Sequence, residues 1–163
     1  IDVCFIASDW TRPEKNYRWV AALAATLRAA TIHLVGDVPR RIPGVTHHGF
    51  LASRATLFDL LGRTRCVTSV SRIDAAPGVL FEASVLGCNV VTSKNCGNWE
   101  LCHPELLVEP FRVTGFTRSI SRAVREKYPD RLDLFLAKNS YADFVALLDA
   151  FSRPFASEAA QNE

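Results

Sequence analysis

The chain has 163 residues, 48% of them hydrophobic and 22% charged, an ordinary balance for one globular domain with a full core. Basic and acidic residues nearly cancel, 19 against 17 for a net charge of +2, so no strong field directs the protein to nucleic acid or to an anionic membrane. No apolar run approaches the roughly 20 residues that span a bilayer, and the first residues lack the charged-then-apolar order of a secretion signal.

The sequence opens directly on an apolar run. Val3 to Ala7 (VCFIA) followed by Ser8-Asp9 predicts a strand buried on both faces and a polar loop after it. The chain begins at Ile1 without an initiator Met, which reads as a fragment of a longer protein. Past Pro13, the residues Trp19, Val20, Leu23 and Leu27 recur at helical spacing, predicting a helix over Asn16 to Ala29 with Asn16 as its N-cap.

Thr31 to Val35 predicts a second buried strand closed by Gly36-Asp37, and Val45 to Phe50 a short third one. His33 within the second strand is expected to be a satisfied core histidine, and His47 and His48 to alternate between core edge and solvent. Ser53 to Leu61 predicts a helix capped by Ser53, with Leu57, Leu60 and Leu61 inward. Strands follow at Cys66 to Val70, at Asn89 to Thr92 and briefly at Leu106 to Val108. An amphipathic helix over Thr114 to Lys127 would place the basic run RSISRAVREK on a solvated face. Tyr141 to Phe151 reads as a last outer helix, and 153–163 has the composition of a tail, so the domain is expected to occupy 1–152.

Strands alternating with helices imply right-handed crossovers and a parallel sheet. The expected fold is α/β and doubly wound, with about six strands and helices on both faces. Sheets of this kind bind ligands at the carboxyl ends of their strands. Five cysteines, Cys4, Cys66, Cys88, Cys96 and Cys102, are an odd number. They read as buried free thiols in a reducing compartment, hence the cytoplasm. Cys88, Cys96, Cys102 and His103 lack the close C-x2-4-C pairing of structural zinc sites, so no metal is expected.

The densest chemistry lies in SRIDAAPGVLFEASVLG, Ser71 to Gly87, where Asp74 and Glu82 stand eight residues apart around a Pro-Gly step into an apolar helix. A helix N-terminus attracts an anion, and carboxylates accept hydroxyl protons. The first loop, SDWTRPEKN, places Arg12 and Lys15 just past the first strand. Two cations beside a helix terminus suit a diphosphate. Lys94, Asn95 and Asn98 follow the fifth strand on the same side and read as surface loop.

Three ordered motifs then resemble the retaining group 1 glycosyltransferases, in the C-terminal nucleotide-sugar-binding domain of their GT-B architecture. Pro13-Glu14-Lys15-Asn16 matches the family's P-E-K-N or P-E-K-G loop. Ser71, Asp74, Pro77, Glu82 and Ala83 match its S-x-x-E-G-x-P-x-x-x-x-E-A segment, and Gly87, Asn89, Val90 and Val91 its G-x-P-V-V strand. The resemblance covers roughly Val3 to Arg125 and implies a Rossmann-like half of a GT-B fold. It also implies transfer, with retention and without a metal or other cofactor, of a sugar from a nucleoside diphosphate sugar to an acceptor.

By the same resemblance Lys15, with Arg12, contacts the donor diphosphate, and Glu82 accepts the ribose hydroxyls. Asp74 stands where the family usually has a Glu near the transferred sugar, so Lys15 and Asp74 are the expected catalytic pair. Ala76, Gly78 and Val79 supply backbone amides to phosphate and sugar, and Gly78 permits close approach. Asp is shorter than Glu by one methylene, about 1.5 Å, which motivates a second reading as a non-catalytic sugar-nucleotide-binding or interaction module with a degenerate site. A sugar-nucleotide epimerase shares the same two-domain logic. An upstream N-terminal acceptor-binding domain is the expected partner; without it the isolated domain is expected to be inactive.

Overall fold

A computed structural model describes residues 1–109 and 111–138. Five strands, β1 (Val3–Asp9), β2 (Ile32–Asp37), β3 (Val45–Gly49), β4 (Cys66–Thr68) and β5 (Asn89–Val91), form one sheet in the order β3-β2-β1-β4-β5. Each neighbouring pair is parallel. The helices are α1 (Tyr17–Thr26), α2 (Arg54–Gly62), α3 (Gly78–Val85), α4 (Val113–Arg125) and α5 (Leu132–Lys138). The chain clusters into two units, Ile1–Arg131 and Leu132–Glu163; α5 opens the second, and the sheet with α1 to α4 makes up the first. The expected helix at 141–151 and the tail from 153 lie outside the described residues.

Strand β1 lies at the centre of the sheet, and its first residues present no polar face. Val3, Cys4 and Phe5 are fully buried, and they pair with Ile32 to Leu34 on one side and with Cys66 to Thr68 on the other. From β1 the chain winds outward to β2 and β3, returns through α2 to β4, and then winds the other way. Right-handed crossovers in opposite directions put their helices on opposite faces. Accordingly, α1 packs with α4 and α2 with α3.

On the α1 and α4 side, Val20 and Leu23 are buried beside Phe116 and Ile120. Trp19 stacks on Phe111 with ring centroids 4.4 Å apart. Arg118, Arg122 and Arg125 stay exposed on α4, the solvated face that the sequence pattern requires.

The sixth strand does not form: 106–108 carries no strand geometry, although Val108 N–H donates to Thr92 C=O at 2.8 Å. Leu106 and Val108 are buried nonetheless. Burial, which sets the apolar pattern, is thus satisfied without a ladder. The Ser53 cap forms, its hydroxyl accepting from Thr56 N–H at 3.3 Å. Asn16 does not cap α1 through its side chain. It sits instead at φ 60°, a left-handed conformation that Asn tolerates, and its Nδ2 donates to Val70 C=O at 3.2 Å.

Gly36, at φ 112°, lies so near β1 that a Cβ there would come within 1.7 Å of the Ala7 carbonyl oxygen. Glycine is therefore required where β2 leaves the sheet. Asn89 in β5 holds the end of α4: its Nδ2 donates to Ala123 C=O at 2.6 Å and Glu126 C=O at 2.7 Å, and its Oδ1 accepts from Tyr128 N–H at 3.0 Å. Asn89 is 5% exposed, and loss of its side chain would strand the buried Ala123 C=O and remove two part-buried bonds. Asn89→Ala is expected to destabilise the fold by about 2–4 kcal/mol in urea unfolding without changing the m-value.

His33 Nδ1 and His48 Nε2 lie 2.9 Å apart across β2 and β3. Burial, reinforced by neighbouring positive charge, lowers the pKa of both imidazoles below 6.5. The unfolded chain therefore takes up protons at higher pH than the folded one. Stability from this pair is full above about pH 6.5 and declines as the pH falls through that value toward the lowered folded pKa values. Urea midpoints measured between pH 8 and 5 are expected to fall, and His33→Gln with His48→Gln is expected to flatten that dependence.

Candidate functional site

The loops after β1 and β4 lie side by side because their strands pair in register. After β1, Arg12 leads into a short 3-10 turn, Pro13–Lys15, which Asn16 closes in its left-handed conformation. This turn presents Lys15 to the loop between β4 and α3. Lys15 Nζ stands 2.6 Å from Asp74 Oδ2, and both side chains are only 16% exposed. Two further bonds join the loops: Arg72 N–H donates to Glu14 C=O at 2.8 Å, and Asn16 Nδ2 donates to Val70 C=O.

Asp74 is held from its other side by the loop after β5. Its N–H donates to Asn95 C=O at 3.3 Å, and its C=O accepts from Gly97 N–H at 2.7 Å. These bonds make Asp74 and Cys96 an isolated parallel bridge. A Cβ on Gly97 would sit 1.7 Å from the Ala75 carbonyl oxygen, so no larger residue allows this approach. Asn98 Nδ2 reaches Pro77 C=O at 3.4 Å. Lys94 instead pairs with Glu109 at 2.9 Å and lies over the Trp99 ring.

Helix α3 opens at Gly78 with no side-chain cap; Leu80 N–H donates to Pro77 C=O at 3.0 Å, and the N–H groups of Gly78 and Val79 are left for solvent or a ligand. Ala76 and Gly78 are exposed and Val79 is half-buried. Glu82 follows one turn later and pairs with Arg54, the first residue of α2. The guanidinium of Arg54 also lies 5.6 Å from the centroid of the Phe58 ring. Both carboxylates of the motif thus carry a cationic partner. Arg12 is turned elsewhere: it pairs with Glu14, and with Trp10, Tyr17, Pro39 and Arg72 it lines an open cleft of about 410 Å³.

The expected residues accordingly divide. Lys15 and Asp74 meet, Gly78 and Val79 open the adjoining helix with Ala76 in the loop before it, and Glu82 sits within that helix beside Arg54. Arg54 was not legible in the sequence, because its position depends on how α2 packs against α3. Gly97 had a signal in the Gly-Asn pair, although its packing against Ala75 is visible only in three dimensions.

All five cysteines are free and buried. Burial pushes the Cys66 and Cys102 thiols up to about 12 and that of Cys88 to about 11, and raises Cys4 further. These four stay protonated at neutral pH and supply no nucleophile. Among the described residues no three His, Cys, Asp or Glu side chains are grouped to hold a metal ion, and no helix is long and apolar enough to cross a membrane. The polar elements that converge here are therefore one ammonium, two carboxylates with their partners, and an uncapped helix start. Such a set can hold an anion beside hydroxyl groups.

Comparison with solved structures places this fold as one Rossmann-like half of the GT-B glycosyltransferase architecture. Sucrose-phosphate synthase from Thermosynechococcus elongatus matches at a TM-score of 0.65 and 20% identity, over 77% of this chain and 36% of that one. Alr3699/HepE from Anabaena, solved in complex with UDP-glucose, matches at 0.60 and 21% over 73% of this chain and 37% of that one. The C-terminal domain of the group 1 family glycosyl transferase LpcC from Francisella tularensis matches at 0.61 and 17%, over 76% of this chain and 75% of that domain. The chain thus spans little more than a third of the first two proteins. No curated protein matches its sequence. The family model for "Glycosyl transferases group 1" matches residues 1–126, the stretch that contains all five strands and every element of the site, and the chain belongs to that family.

Proposed function

We propose that this chain is the donor-binding half of a retaining glycosyltransferase, and that it holds a nucleoside diphosphate sugar across the loops after β1 and β4. The observation that carries this reading is the 2.6 Å approach of Lys15 to Asp74 beside the uncapped start of α3. One cation and a helix N-terminus converge where a diphosphate needs them. The fold neighbour from Anabaena binds UDP-glucose, which supports the same ligand class here.

In this reading Lys15 offsets charge on the departing diphosphate, assisted by the amides of Ala76, Gly78 and Val79 and by the α3 dipole. Arg12 leaves Glu14 to join it when the ligand is bound. No metal takes part, because the charge developing on the leaving group falls to these groups. Glu82 accepts ribose hydroxyls through the carboxylate oxygen that Arg54 leaves open, and Asp74 accepts hydroxyls of the transferred sugar. The acceptor comes from an upstream N-terminal domain, so the isolated chain binds donor and transfers little. Five buried free cysteines support a reducing, cytoplasmic setting.

Calorimetry with UDP, GDP and ADP is expected to show binding of at least one, weakened about tenfold or more by Lys15→Ala, which removes a charge-assisted phosphate contact. Absence of binding to all three by a folded wild-type chain overturns the reading. Glu82→Gln is expected to weaken the same nucleotide by roughly fivefold and the 2′-deoxy nucleotide by less, since a neutral amide is the poorer hydroxyl acceptor. In the parent protein with its upstream domain, proton NMR of the first-formed product is expected to show the donor's anomeric configuration.

A further inference from the structure

We propose that Asp74 makes this site discriminate the sugar-loaded donor from the bare nucleoside diphosphate, by competing with the diphosphate for Lys15 unless a sugar hydroxyl takes the ammonium's place. The inference rests on the donor-site reading above and goes beyond it, because it concerns what the ion pair does when the site changes occupant.

The starting point is that the ligand-free site is already paired. Lys15 and Asp74 form a 2.6 Å contact with both side chains 16% exposed, so each group has lost most of its hydration and depends on the other. The carboxylate is the anchored member. Its backbone is bonded to Asn95 and Gly97, and the loop carrying it is packed against a glycine that leaves no room for a Cβ. Lys15 is the adaptable member, a four-carbon stem at the end of a three-residue turn. A phosphate that recruits Lys15 therefore draws it away from a carboxylate that cannot follow.

What happens next depends on the ligand. A bare diphosphate brings only acceptors, so Asp74 loses its cationic partner, gains no donor and faces a second anion. A shielded carboxylate left without a donor is costly, and the nearby negative charge adds to the cost. A nucleoside diphosphate sugar brings hydroxyl donors beside the same phosphates. They satisfy the carboxylate, and Lys15 is released to the diphosphate without that penalty. Asp74 thereby favours the loaded donor over the spent nucleotide. The shorter Asp suits this role, because it meets Lys15 directly.

The Arg54–Glu82 pair does not impose the same choice. Glu82 is shielded, at 19% exposure, but Arg54 lies largely in solvent, at 74%, where water screens the pair, and a ligand that binds the other Glu82 oxygen leaves Arg54 in place.

The test uses the full chain and calorimetric titration with the pairs UDP and UDP-glucose, GDP and GDP-mannose, and ADP and ADP-glucose. For the pair that wild type binds, Asp74→Asn is expected to raise affinity for the bare diphosphate about tenfold and to bring no such gain for the sugar nucleotide, which loses its charged hydroxyl acceptor, so that the preference for the loaded donor collapses. Asp74→Ala repeats the measurement without the amide and covers the case in which the first variant fails to fold. In a Lys15→Ala background, Asp74→Asn is expected to lose most of its effect, since nothing remains to be competed for. Wild-type binding with no gain in diphosphate affinity on removal of the carboxylate overturns the proposal while leaving the donor site intact. Failure of folded wild type to bind any of the six nucleotides overturns the donor site itself, and this inference with it.

Discussion

Everything in this domain is arranged by the placement of β1, whose apolar residues pair in parallel with β2 on one side and β4 on the other. β1 lies mid-sheet, and a chain that winds outward from such a strand in both directions must reverse once. At that reversal the connecting loops diverge to opposite faces and leave a crevice at the carboxyl ends of the strands. The Pro13–Lys15 turn and the 69–77 loop border this crevice. The meeting of Lys15 with Asp74 follows from sheet order rather than from either loop alone.

The loop that carries Asp74 is short of regular structure and yet is held closely. On one flank its Arg72 N–H donates to Glu14 C=O, and on the other it exchanges backbone bonds with Asn95 and Gly97. Gly97 permits an approach to Ala75 that any side chain would block. A site on loops is positioned only as well as its supporting bonds. Here the support is backbone pairing from neighbouring loops, which keeps an acidic side chain aimed at a single cation.

Family membership and geometry bear on different parts of the functional reading. The family match over 1–126 and the GT-B likeness define what kind of protein this is. The ion pairs Lys15–Asp74 and Arg54–Glu82 define the ligand-free state of this chain. Both carboxylates are charge-neutralised in it, and in the proposed reading a diphosphate would take Lys15 by an exchange of partners rather than by filling an empty charged pocket. Exchange of partners is a route to specificity, since a ligand that cannot replace what it displaces is penalised.

Much of this was legible in the sequence, for a definite reason. Apolar runs such as VCFIA and TIHLV, and the 3.6-residue spacing of α1 and α4, report burial, and burial is what decides strand and helix in a two-sided sheet. The order of Lys15, Asp74 and Glu82 along the chain was visible too, because residues that share one crevice fall at strand ends. By itself, then, the sequence determined the parallel α/β class and the placing of Lys15 and Asp74 on loops that follow strands. The sixth strand was over-read from burial alone, since Leu106 and Val108 are buried without a ladder. The cap assigned to Asn16 was displaced by its bond to Val70, a contact across 54 residues that local spacing cannot show. Only the tertiary structure decided which charges meet: Lys15 with Asp74, Glu82 with Arg54, and Arg12 with Glu14 rather than with the site. An ion pair requires approach within a few ångströms, and that distance is fixed by loop packing and helix contacts, which leave no periodic trace in the chain.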